Sequence, residues 1–170
     1  MSKINFRTDV LPLKDQLFRL ALRITLNRAE AEDVVQETMI KVWNNREKWE
    51  EIESIEAYCF TITRNLAIDS TRKQSNKLIS LDESQSEKPD RTSNPYEDIN
   101  AKDRLNTVKC LINNLPEKQK SCLQLRDFEG KAYKEIAGIL GITEDQVKIN
   151  IFRARQAIKQ RYQEFDKYGL

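Results

Sequence analysis

The sequence predicts an all-α protein built as two small helical domains joined by a flexible linker. Three observations carry that expectation. On either side of residues 74–100, apolar residues recur at three- and four-residue spacing, the signature of one buried helix face. Period-two runs of β-branched residues are absent, and all four glycines lie after residue 129. Within residues 74–100 the helical stripe stops, and the segment holds two of the four prolines with many serines and acids, a composition that cannot bury a core.

Taken in chain order, residues 13–26 carry Leu17, Leu20, Ala21 and Ile24 on one face, with Asn27 marking the end of the helix. Residues 29–45 give a second helix with Val35, Met39, Val42 and Trp43 inward. The charged stretch 46–53 with its lone Trp49 reads as a loop or short irregular turn. Ser54, a good cap, starts a third helix with Tyr58, Cys59, Ile62 and Leu66 inward. Residues 1–75 form the first domain and 76–100 the acidic polar linker. The second domain, 101–170, opens with Leu105, Val108, Leu111, Ile112 and Leu115 on one face. Pro116 breaks that run and starts the next helix at its first turn. Residues 117–128 carry Cys122, Leu123, Leu125 and Phe128, and Gly130 ends them. A coil the length of the 74–100 segment has a root-mean-square span of roughly 28 Å and an extended reach of about 90 Å. Lobes so tethered are expected to hold no fixed position relative to each other.

Composition excludes several classes. The chain has 170 residues, 33% of them charged, and a net charge of +2. No apolar run reaches membrane-spanning length and no basic-then-apolar leader opens the chain, so a soluble cytoplasmic protein without membrane insertion is expected. Three well-separated cysteines and no histidine imply neither a disulfide framework nor a transition-metal site. No acid cluster or histidine is arranged for metal or general-base chemistry, so we expect no enzyme, no cofactor and no small-molecule substrate. Acid concentrates in 28–56 and 82–103, base in 57–77 and 148–161. A chain touching DNA in two places, or an ordinary solvated surface, has that distribution.

Residues 132–158 are the most informative. Tyr133, Ile136, Ala137 and Leu140 give a first helix one buried stripe. Gly141 can take the left-handed conformation that ends a helix without steric cost. Thr143 and Gln146 are spaced as a capping box. Val147, Ile151, Ala154 and Ile158 line one face of a second helix, and Lys148, Asn150, Arg153 and Arg155 stand on its others. A glycine turn before a capped basic helix is the helix-turn-helix pattern that inserts a helix into a DNA major groove.

Two longer motifs extend this reading. AEDVVQETMIKVW (31–43) followed by SIEAYCFTITRNLAIDSTRK (54–73) resembles domain 2 of bacterial sigma factors. NLPEKQKSCLQLRDFEGKAYKEIAGILGITEDQVKINIFRARQAI (114–158) resembles their domain 4. Their direct join by a polar linker resembles the extracytoplasmic-function (ECF) group, and the resemblance covers nearly the whole chain after residue 10. It implies an initiation specificity subunit of RNA polymerase, with core polymerase, promoter DNA and a dedicated anti-sigma factor as partners. A stand-alone helix-turn-helix regulator, with residues 1–75 as a dimerisation or sensor domain, is the rival reading.

The resemblance also implies site residues. Asp33, Gln36 and Glu37 share a polar helix face and match the family's docking surface for the polymerase clamp. The third helix and the loop before it match the unit that opens the −10 element, where unstacked bases are caught on aromatic rings and the strand is held by cations. Trp49, Tyr58, Phe60, Arg64, Asn65, Arg72 and Lys73 are the candidates there. Tyr58 stands where the family often has tryptophan, and both Tyr58 and Phe60 serve equally well as core. For the −35 element the matching set is Lys134, Gln146, Lys148, Ile149, Asn150, Arg153 and Arg155. Lysine donates to guanine or phosphate, and asparagine suits adenine. Gln146 replaces the usual threonine or serine. Ile149 suits a thymine methyl or a neighbouring helix, Phe152 is expected on a neighbouring helix, and Arg155 suits a phosphate or a surface pair. Asp82, Glu83, Glu87 and Asp90 in the linker either imitate nucleic acid in a basic channel or simply keep the spacer solvated.

Overall fold

The computed structural model describes residues 3–80 and 99–167, with side chains described for all but 76–80 and 99–101. Every regular element among them is helical: α1 (Lys14–Thr25), α2 (Arg28–Asn44), α3 (Ile55–Ser80), α4 (Ile99–Asn113), α5 (Glu117–Leu123), α6 (Tyr133–Leu140) and α7 (Glu144–Lys167). The residues of the linker expectation from 81 to 98, Asp82, Glu83, Glu87 and Asp90 among them, lie outside the described residues. Residues 76–80 are helical rather than coil. Nothing in QSNKLIS stops a helix, the next proline being Pro89.

Helices α1, α2 and α3 form the first bundle. Leu17, Leu20, Ala21 and Ile24 of α1 are all buried, as their spacing predicts. The turn after α1 differs from expectation. Leu26 takes the left-handed conformation (φ 55°) that closes α1, and Asn27 caps the next helix. Its Oδ1 accepts from the Glu30 amide at 3.0 Å, satisfying one of the donors a helix start leaves open. On α2, Val35 and Val42 point inward with Ala31, Val34 and Thr38, but Trp43 does not and is 46% exposed. Its ring meets Phe6 and Trp49 edge-to-face, with centroids 5.4 and 6.3 Å away. Thr38 and Thr63 are buried polar residues joining α2 to α3. The Thr63 hydroxyl donates to Thr38 at 3.0 Å, and Thr38 donates to the Val34 carbonyl at 2.8 Å, so neither is left unpaired in the core.

The second bundle comprises α4 to α7. Ile112, Leu115, Leu123 and Ala154 make its outer cluster. Leu105, at the middle of α4, stays 56% exposed. A wide π-type turn, Gln124–Phe128, carries α5 toward Gly130 (φ 68°). There glycine avoids the Cβ clash of a left-handed residue.

The lobes do not hang free of one another. Cys122, Leu125, Ile136, Ile139, Val147 and Ile151 of the second belong to the same continuous buried cluster as Leu17, Val35 and Phe60 of the first. Helix α3 lies against α6, and α1 against α5 and the turn that follows it. The expectation of unfixed lobes considered only the tether. It had no means of weighing apolar and charged surfaces that complement each other across the junction.

Candidate nucleic-acid interface

The helix-turn-helix follows the sequence closely. Helix α6 ends at Gly141, whose φ is 68° and whose amide donates to the Ala137 carbonyl at 2.9 Å. The capping box is complete: the Gln146 amide donates to Thr143 Oγ1 at 3.1 Å, and the Thr143 amide to Gln146 Oε1 at 3.0 Å. Buried Val147, Ile151 and Ala154 fix the roll of α7, and Ile139 of α6, absent from the predicted stripe, is buried with Val147 and Ile151. Fixing that roll turns Gln146, Lys148, Ile149 and Arg153 to solvent, with Lys134 exposed on α6. The Lys148 ammonium lies 5.7 Å from the Tyr133 ring centroid, and Arg126 lies over the same ring at 4.4 Å. Asn150 is half-buried and its amide donates back to the Gln146 carbonyl at 2.8 Å.

Two side chains here depart from expectation or resolve it. Phe152 does not rest on a neighbouring helix. It is 63% exposed, beside Ile149 at 46%, because Val147, Ile151 and Ala154 are the α7 residues buried against neighbouring helices. Arg155 makes a bidentate pair with Asp127, at 3.1 Å from Nε and 2.5 Å from Nη2, and that hydrogen-bonded pair raises its pKa.

The −10 candidates divide. Asn65, Arg72 and Lys73 are exposed along α3, and Tyr58 is half-buried. Trp49 is half-buried and its Nε1 donates to the Val42 carbonyl at 3.1 Å, so one edge of the ring holds its loop to α2. Phe60 is fully buried, which argues against base stacking in this arrangement. It is a core residue, with the Lys131 ammonium 4.9 Å from its centroid. Arg64 is only 12% exposed and makes a bidentate pair with Glu117, at 3.2 and 2.5 Å.

On α2, Asp33, Gln36 and Glu37 are all exposed on one side of the helix. Among the described residues the only ion pair recorded there is a long one, Glu37 to Lys41 at 3.9 Å. The face is therefore free to accept hydrogen bonds from an external cation.

Sequence reasoning missed the junction residues. Glu129 binds Arg19 at 2.6 and 2.8 Å, and this hydrogen-bonded pair raises the arginine's pKa. Lys131 pairs with Glu56, and burial lowers the lysine's pKa. Arg23 donates to Gln124 at 3.2 Å and lies over Phe128 at 5.5 Å, its pKa lowered by burial. The paired residues are far apart in sequence, so no local pattern announces them. Burial pushes the Cys59 thiol up to about 12 and Cys122 to about 11, well above the range of a reactive thiolate. Among the described residues no cluster of three or more metal-binding side chains occurs, and no helix is long and apolar enough to cross a membrane.

Comparison with known proteins agrees with this division. Residues 10–77 match sigma-70 region 2 and residues 105–158 match sigma-70 region 4. SigL of Mycobacterium tuberculosis, an ECF RNA polymerase sigma factor, is 34% identical over 87% of this chain and 83% of its own. SigE of Mycolicibacterium smegmatis is 31% identical over 85% of this chain, which spans only 56% of that longer relative. Among solved structures, the sigma factor RpoE in complex with the anti-sigma factor NepR from Bartonella quintana superposes with a TM-score of 0.71. It is 25% identical over 95% of this chain and 98% of its own. These matches define a two-domain sigma-70 type protein, and the chain belongs to its ECF RNA polymerase sigma factors.

Proposed function

We propose that this chain binds core RNA polymerase and directs it to promoters by recognising −10 and −35 elements. Residues 1–75 act as domain 2, docking through Asp33, Gln36 and Glu37 and stabilising an opened −10 region. Residues 101–170 act as domain 4, reading −35 duplex through α7, with 76–100 as the linker between them. The observation that carries this reading is the coexistence of two family-matched lobes in one chain. One offers an open acidic helix face and the other a capped helix with exposed Lys148, Ile149 and Arg153. Exposed lysine and arginine serve phosphates and guanine, and an exposed aliphatic suits a thymine methyl. Opening a duplex costs a few kcal/mol per unstacked base, and the two lobes grip separate elements of the promoter. Promoter binding by the isolated chain is therefore weak, and the polymerase supplies the spacing.

The chain acts in the cytoplasm, where its polymerase is, and performs no covalent step. A dedicated anti-sigma partner is part of the proposal, by analogy with the RpoE–NepR complex. A stand-alone regulator has no comparable support, since a symmetric dimer needs a self-complementary face. The deciding experiment is run-off transcription with core polymerase on genomic fragments. Discrete start sites that appear only when the chain is added are expected. A chain that binds core polymerase and yet selects no start site would overturn the proposal.

A further inference from the structure

Lys120 of α5 is a covered cation without a counter-charge of its own. The residue is 7% exposed. Its charged neighbours are Glu117 and Arg23, and among the described residues no hydrogen bond or ion pair joins its ammonium to either. Glu117 is committed elsewhere: its carboxylate receives the Arg64 fork and the Ser121 hydroxyl. Arg23, half-buried on α1, donates only to the neutral side chains of Gln124 and Asn113, at 3.2 and 3.4 Å. Burial lowers the pKa of both cations. Charges taken out of water are ordinarily paired, and here the chain itself supplies no anion for Lys120.

Lys120 lines a cleft of about 410 Å³ walled by α1, α3 and α5, the size of a small-molecule site. Across from α5, helix α3 brings Arg72 and Ser75 to the same cleft. Both are exposed, and no side-chain partner is recorded for either. Ile24 and Ile68 give the cleft an apolar wall. Its carboxylate, Glu117, is already offset by Arg64. Further along the groove Asp69 and Lys118 contribute opposite charges. The cleft therefore presents an ammonium, a guanidinium fork and a hydroxyl, with positive charge in excess. A carboxylate has two oxygens to share among three such donors. A phosphoryl group has three acceptor oxygens and about two charges, and suits both lysine and arginine.

We propose that this cleft binds a small phosphate-bearing ligand, its phosphoryl oxygens held by Lys120, Arg72 and Ser75 and the rest of the molecule lying on Ile24 and Ile68. The site goes beyond promoter recognition and does not depend on it. Lys120 belongs to the second lobe and the other four residues to the first, so the site is whole only while the lobes are together. A bound ligand favours that arrangement by as much as its affinity for it exceeds its affinity for separated lobes.

The test titrates the full chain with inorganic pyrophosphate and, separately, with ADP, in phosphate-free buffer at fixed ionic strength, and follows the heat of binding. Saturable binding at one site per chain is expected for at least one of the two. Equal affinities assign recognition to the phosphates alone, and tighter ADP binding adds the isoleucine wall. Lys120→Met keeps the length of the side chain and removes its charge, and should weaken binding at least tenfold. Where Lys120→Met does not fold, Arg72→Gln carries the same expectation. Arg161→Gln, an equal loss of charge on the exposed surface of α7, should bind as the parent does. Absence of saturable binding for both probes would overturn the proposal. So would a Lys120→Met chain that binds like the parent, or an Arg161→Gln chain weakened as much as Lys120→Met, which would reduce the effect to general surface charge.

Discussion

The two faces proposed to meet DNA are built differently. On α7, the side chains aimed at duplex DNA already stand in solvent, and the capping box and the buried Val147–Ile151–Ala154 stripe set their orientation. On α3, the side chains aimed at a single strand are partly taken: Phe60 lies in the core and Arg64 is held by Glu117. A duplex exists before the protein arrives, so a preformed reading helix can engage it directly. A single strand exists only after melting, and a surface waiting for it can be covered without loss until then.

Phe60 gives the largest expected effect and the sharpest way to break the comparison. As a fully buried ring it should cost about 3–5 kcal/mol of stability when changed to alanine, read as a lowered denaturation midpoint. Phe60→Leu, nearer in volume, should lose much less. If Phe60→Ala unfolded no more easily than the parent but failed to hold melted DNA, the ring would belong to the strand site and not to the core.

Next come the polymerase and −35 faces, which should separate cleanly. Asp33→Ala with Glu37→Ala removes two ionised acceptors, each bond worth about 1.5–3 kcal/mol. Affinity for core polymerase, measured by titration of a labelled chain, should fall at least tenfold while −35 duplex binding holds. Lys148→Ala and Arg153→Ala should each cost about 1–3 kcal/mol on the −35 duplex and leave polymerase docking intact. Equal loss of both activities in all of these variants, with fold retained, would refute the division of labour.

How far the sequence could be read follows from the range of each interaction. The helix-turn-helix was legible nearly residue by residue, because Gly141, Thr143 and Gln146 act within one turn of chain. The four inward residues of α1 were legible from spacing alone. Trp43 and Phe152 were misjudged because periodicity ranks faces of a helix without knowing which face meets a neighbour. Asn27 was assigned to the wrong helix, a one-residue difference that only backbone geometry decides. The junction was invisible for a stronger reason. Arg64 and Glu117 are 53 positions apart, Arg19 and Glu129 110, and no local pattern ties either residue to its partner.

Arg155 brings the comparison to its smallest expected effect, and to a case where the two candidate roles leave different traces. Its guanidinium is about half exposed and its partner Asp127 about a third, so water and salt screen the pair. Pairs of that kind contribute about 0–1 kcal/mol, and Arg155→Ala should scarcely move the unfolding midpoint. If the side chain also leaves Asp127 for a phosphate when duplex is present, the variant should bind every −35 sequence a little less well. The slope of log affinity against log salt should then shrink by about 0.9, with sequence preference unchanged. An unaltered salt slope would confine Arg155 to its pair with Asp127. A change in preferred base would make it a reader alongside Lys148 and Arg153.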